Sequence, residues 1–164
     1  MAFASIVDPG YKILLFLHIL AVVLAFGPTF GYGIFFSVLP SFPRATPALL
    51  AGIQKVDRIL VTPGMVVLLL AGIGLLSASG GAWDGGDAFV VVGFIAIIVL
   101  FGLQHAFFQP QTRRAKELAE RDLGSGDELS KEFIDVSGRI SRVGTLAGVI
   151  VMVTIFFMAY KPFL

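Results

Sequence analysis

The chain has 164 residues, of which 57% are hydrophobic and only 14% charged, and its net charge is +1. So little charge excludes a water-soluble domain, and the near-neutral balance leaves no broad basic surface for nucleic acid. With no cysteine, disulfides, thiolate metal sites and cysteine redox chemistry are excluded too.

Four apolar stretches, at 11–38, 59–79, 88–109 and 143–160, each reach the ~20 residues that a helix needs to cross a ~30 Å hydrocarbon layer. Helices satisfy their own backbone groups in lipid, so the expectation is an all-α, polytopic, four-helix bundle rather than a barrel. The first stretch lacks a basic leader and a small-residue cleavage site, and therefore reads as a spanning helix. The expected organisation is one unit over 1–164, with helices at roughly 11–38, 47–79, 88–122 and 127–160 running up-down-up-down.

The first helix carries Gly27-Pro28-Thr29-Phe30-Gly31. Pro28 predicts a kink, and the Gly27/Gly31 pair predicts close approach of a neighbouring backbone. On the same helix His18, Ala21, Ala25, Thr29 and Tyr32 share one side, a small and partly polar inward stripe. Thr46-Pro47 reads as an N-cap with proline at the first helical position, and Thr62-Pro63-Gly64 as a second kink or restart. No acid is expected within a membrane segment.

The third connection carries opposite charges at helical spacing: Arg113/Glu117, Lys116/Glu120, Glu117/Arg121, Lys131/Asp135 and Asp135/Arg139. Leu129, Phe133, Val136, Ile140 and Val143 form a heptad seam after the Gly124-Ser125-Gly126 turn. Helices 3 and 4 are therefore expected to project from the membrane as a cytoplasmic helical hairpin. Of the 12 basic residues, ten lie in the first and third connections and none in Ser79–Asp87. The positive-inside rule then places both termini outside a bacterial inner membrane. Phe35-Phe36 with Pro40 and Arg44 resembles Phe107-Phe108 with Pro110 and Arg114, a hint of two tandem hairpins.

Chemistry centres on His18, because an ionisable side chain inside a span marks a functional site by default. It lies ~10 Å below the outer end of helix 1, whereas His105 lies ~25 Å from that side. The two cannot ligate one haem within a single chain. Ala71, Gly72, Phe94, Ile95, Val153 and Thr154 share the depth of His18. Two readings stand open. In one, His18 donates a hydrogen bond to Thr154 or a helix carbonyl and fastens the bundle. In the other it ligates haem b iron, with Thr154, Gly72 and Gly74 forming the pocket and the two glycines leaving room for the macrocycle. His105, with Gln104, Thr62 and Arg142 as expected neighbours, reads as an interfacial anchor, and Tyr11, Trp83 and Tyr160 as an aromatic belt.

Leu17-His18-Ile19-Leu20, Gly27-Pro28-Thr29-Phe30-Gly31, Pro40 to Arg44, Thr62-Pro63-Gly64 and the ending from Met158 to Pro162 resemble an uncharacterised bacterial family of predicted four-helix integral membrane proteins. More distantly, the Lys12-to-His18 start and the histidine near the end of helix 3 look like HemJ-type protoporphyrinogen oxidases and CopD-type copper-resistance domains. The HemJ resemblance implies haem b on His18. It also implies a lysine early in helix 3, where this chain reads Val90-Val91-Val92-Gly93-Phe94 instead. Two functional classes follow. The first is a non-catalytic accessory subunit of a membrane redox assembly, binding haem b through His18. The alternative is a HemJ-like haem-dependent oxidoreductase of tetrapyrrole metabolism. The implied partners are the lipid bilayer, together with other membrane subunits or further copies of the chain.

Overall fold

The computed structural model describes residues 8–162, and among these every regular element is helical. Helix α1 (Pro9–Val38) starts where the Asp8 carboxylate accepts the Gly10 N–H at 2.8 Å and Pro9 occupies the first turn. After two short 3₁₀ turns, α2 (Thr46–Val56) and α3 (Thr62–Ala78) follow as one rod. The rod of α4 (Ala88–Leu103) and α5 (Gln109–Ser125) comes next, and α6 (Lys131–Tyr160) closes the chain. Four helical rods, Pro9–Ser41, Pro43–Ala78, Ala88–Ser125 and Lys131–Tyr160, are long and apolar enough to cross a membrane.

The rods run in alternating directions. Trp83, in the turn between α3 and α4, meets Tyr11 at the start of α1 and Lys161 after α6. At the other end Arg44, after α1, pairs with Asp127, between α5 and α6.

Each of the two composite rods contains a five-residue π turn, Asp57–Val61 and Gln104–Phe108, closed by the N–H of Thr62 or Gln109. Both stand immediately before a proline pair, Thr62-Pro63 and Gln109-Pro110. A proline inside a helix lacks its N–H and crowds the carbonyl four residues back. Widening the preceding turn by one residue relieves that clash, so Pro63 neither breaks nor restarts the helix.

The close backbone approach falls elsewhere than on Gly27 and Gly31, whose nearest neighbours are Val23 and Phe35 of their own helix. It occurs at Gly64, where an added Cβ would sit 3.0 Å from the Ala25 nitrogen. Ala21 and Ala25 are buried there. Gly27 lies about 200° around α1 from Ala25 and so faces away.

Two apolar cores result. One joins Ala21, Ala25 and Phe26 of α1 to Met65, Leu68, Ile97, Leu100 and Val151. The other gathers Phe36, Leu39, Leu50, Ile53, Ala115, Leu118, Phe133, Val136 and Ile140 at the charged end. The α4–α5 rod has 38 residues, so at ~1.5 Å per residue it outruns a ~30 Å hydrocarbon layer by more than 25 Å. This projecting end is not the two-helix hairpin expected from the seam. Helix α2 packs on α5 as a third arm through Leu50 and Ile53.

The ion pairs there also differ from a same-helix pattern. Arg113–Glu117 and Lys116–Glu120 form at 2.8 and 2.6 Å, but Arg121 turns to Asp122 and across to Glu132. Arg114 joins it on Glu132 at 2.9 Å. Asp122 also accepts the Ser130 N–H at 2.8 Å, which ties the end of α5 to the start of α6. Thr46 does not cap α2 by accepting an N–H. It is fully buried, and its hydroxyl donates back to the carbonyls of Leu39 and Phe42, locking the turn.

Candidate functional site

Helix α1 packs on α3 and α6, and α4 packs on α6, but α3 and α4 touch sparsely. The space this leaves among the four rods, in the half nearer the Ser79–Asp87 turn, is a cavity of about 450 Å³. Its wall is apolar apart from a few groups, among them His18, Thr154, Tyr11, Trp83 and Lys161. The volume lies within the ~300–1,000 Å³ usual for small-molecule and cofactor sites.

His18 enters this cavity from α1 and is half-buried. Its ring lies against Gly72, where an added Cβ would stand 3.4 Å from the imidazole Cε1. Nδ1 is buried on the Gly72 side of the ring with no hydrogen-bond partner within bonding distance, and the Leu68 backbone lies near the imidazole. Thr154 shares the cavity, but its hydroxyl donates to the Ile150 carbonyl at 2.8 Å rather than engaging His18. Of the four residues read as a pocket, His18, Gly72 and Thr154 therefore line one space. Gly74 does not: Leu14 fills the position beside it, 3.2 Å from where a Cβ would be. Phe94 lines the cavity too, whereas Ile95 and Val153 face outward.

The mouth is more polar. The Trp83 indole N–H donates to the Tyr11 hydroxyl at 3.2 Å. Lys161, in a left-handed conformation at φ 48°, caps α6 and lays its ammonium over the Trp83 ring at 3.5 Å. Partial burial lowers its pKa, and the charge of Asp87 opposes that shift. Of the three residues read from sequence as an aromatic belt, Tyr11 and Trp83 form this end of the cavity with Lys161, whereas Tyr160 is exposed and stacks on Phe156. Lys161 carried no positional signal, because a charge just beyond a helix end looks like any interfacial anchor.

His105 belongs elsewhere. Its Nδ1–H donates to the Phe101 carbonyl at 2.9 Å, and its ring stacks on Phe101. Its expected neighbours have other partners: Arg142 bonds the Gly138 carbonyl, and Thr62 accepts weakly from Gln109. Among the described residues no three His, Asp or Glu side chains gather as a metal-binding group.

A buried acid stands just before the apolar stretch of the second rod, which begins at residue 59. Asp57 opens the first π turn and is only 4% exposed. It accepts the Tyr32 O–H at 3.0 Å, with the buried Gln104 amide, which opens the second π turn, beside it. The signal was present: Leu50, Ile53, Asp57 and Val61 follow 3-4-4 spacing, so Asp57 stood within the buried stripe of its own helix. This polar layer separates the two apolar cores.

No curated protein and no solved structure matches the chain, and a likeness to HemJ-type or CopD-type proteins is not shown. One family model does match, over residues 12–162, and carries the description "predicted integral membrane protein". With nearly the whole chain matched and four apolar rods of spanning length, the protein belongs to the DUF2269 family of integral membrane proteins.

Proposed function

We propose that the protein is a haem-b-carrying, non-catalytic component of a bacterial inner-membrane redox assembly, with His18 as the residue that would hold the haem iron. The observation behind this reading is His18 on the wall of a 450 Å³ apolar cavity, its ring packed on Gly72. Haem b, when bound, supplies one-electron redox chemistry at its iron.

The residues present fit such a group. A ligating histidine usually donates its second ring N–H to a carbonyl, which fixes the tautomer and the ring orientation. Nδ1 is buried on the α3 side of the ring beside Gly72, where a small rotation of the imidazole would bring a backbone carbonyl into reach and leave Nε2 for iron. Gly72 keeps the ring close to α3, while Phe94, Ile97 and Leu100 exclude water. The α4 wall offers only apolar side chains, with no lysine to act as acid or base. That favours a carrier over an oxidase of tetrapyrroles.

Ten of the 12 basic residues cluster at the end opposite the cavity. By the positive-inside rule that end faces the cytoplasm, both termini face outward, and the haem lies in the outer half of the membrane. The projecting end, with α2, α5 and the start of α6, is the surface available to partner subunits.

Detergent-purified protein titrated with ferric haem should develop a Soret band saturating at one haem per chain. His18→Ala should lose that band while retaining its helical circular dichroism. Wild-type protein that gives no band would remove the haem reading and leave the accessory role alone.

A further inference from the structure

We infer that the cavity orients its ligand by charge, holding a carboxylate between Lys161 and Tyr11 at the mouth while the apolar body lies beside His18. This rests on the haem reading and adds the direction in which the carboxylates of haem b point.

Among the described residues the mouth presents two donors without acceptors. Lys161 lines the cavity with its ammonium on the indole face, and among the described residues no carboxylate lies within ion-pair distance of it. Asp87 acts on it only from farther away. A cation–π contact leaves the three ammonium N–H groups without a strong acceptor. The Tyr11 hydroxyl, in a residue 8% exposed, already accepts from Trp83, so its own proton is left to donate. Both groups therefore ask for the same thing, an anionic oxygen. Charge-assisted hydrogen bonds of this kind are about twice as strong as neutral ones.

Position agrees with chemistry. Thr154, near the depth of His18, and Lys161 lie seven residues apart on one helix, so the mouth stands about 10 Å from the imidazole level. The rest of the wall offers an anion nothing: Leu15, Ile19, Val22, Leu75, Phe89 and Ile155 are all apolar. A ligand with one apolar end and one carboxylate end has a single favourable orientation here, carboxylates toward Lys161.

The test compares ferric haem b with its dimethyl ester, which keeps the macrocycle and iron but lacks both negative charges. Affinities are read by Soret titration in a neutral detergent. Wild-type protein should bind haem b about tenfold or more tightly than the ester, and this preference should shrink as salt rises. Lys161→Gln should lose most of the preference, with unchanged affinity for the ester, and Tyr11→Phe should lose a smaller part of it. Lys161→Arg should keep it, which separates charge from any loss of packing on Trp83. Equal wild-type affinities for acid and ester, or a preference undiminished in Lys161→Gln, would overturn the orientation while leaving haem binding intact. Absence of any band with either ligand would overturn the haem reading and this inference with it.

Discussion

Gly64→Ala adds one methyl group at the tightest contact between α1 and α3. The new Cβ would lie 3.0 Å from the Ala25 nitrogen and 3.2 Å from its Cα and Cβ. Comfortable separations are about 3.5–4.0 Å, so the two helices must part by roughly 0.5 Å or more. No side-chain rotation provides that room, because the atoms opposed are backbone and Ala25 is fully buried. Overpacking of this kind costs about 1–3 kcal/mol. Alanine regains roughly 0.5–1 kcal/mol of helix propensity, which leaves a net effect between about zero and a loss of about 2.5 kcal/mol. Gly52→Ala is the control: the same chemical change on an exposed face of α2 where a Cβ meets nothing within 4 Å. It should stabilise by roughly 0.5–1 kcal/mol. Reversible unfolding in mixed micelles, followed by circular dichroism, measures both. If Gly64→Ala were stabilised as much as Gly52→Ala, the Ala25–Gly64 contact would not hold the bundle as described.

Three further outcomes test other parts of the structure. Tyr32→Phe removes the hydroxyl that donates to Asp57 at 3.0 Å and should cost about 1.5–3 kcal/mol in the same assay; wild-type stability would show that the polar layer is solvated. Thr46→Val removes the hydroxyl that donates to the Leu39 and Phe42 carbonyls, which keep only the Phe42 and Ala45 N–H groups, so the turn between α1 and α2 should be cleaved faster by protease at a cost of about 0.5–1.5 kcal/mol. Asp122 lies on α5 well beyond the spanning part of its rod, and hydrogen bonds from Ser130, then Arg121, hold its pKa below the ordinary value. A lowered folded-state pKa contributes stability above the unfolded value of about 3.9 and loses it as pH falls through the folded one. The link between α5 and α6 should therefore loosen in that acidic window, read by hydrogen exchange near Ser130, and Asp122→Asn should reduce the pH dependence to the part that Glu132, paired with Arg114 and Arg121, contributes.

The spans and the seam were legible because apolar length and helical periodicity are local properties of the chain. So was the inward side of α1, where Ala21 and Ala25 are buried. Periodicity reports which face a helix buries, but not what it meets there. That is why the Leu50/Ile53 face of α2 did not announce α5, and why the Gly27/Gly31 pair competed with Ala25 and Gly64. The π turns were illegible for a related reason. A one-residue widening shifts the helical register by about 100°, and periodic reading assumes that no such shift occurs. Around the cavity, His18, Gly72 and Thr154 could be matched by depth. Gly74 could not, because two residues on a helix differ by about 200° in direction whatever their depth. Lys161, Trp83 and Tyr11 converge only because three chain segments meet at one end of the bundle.

The central claim is that the His18 imidazole is the iron ligand in the cavity between the four rods. The most direct measurement is the Soret titration of His18→Ala with and without free imidazole. Deleting the ring should abolish the band, and millimolar imidazole diffusing into the vacated space beside Gly72 should restore it. A band of wild-type position and affinity in His18→Ala without imidazole would contradict the account.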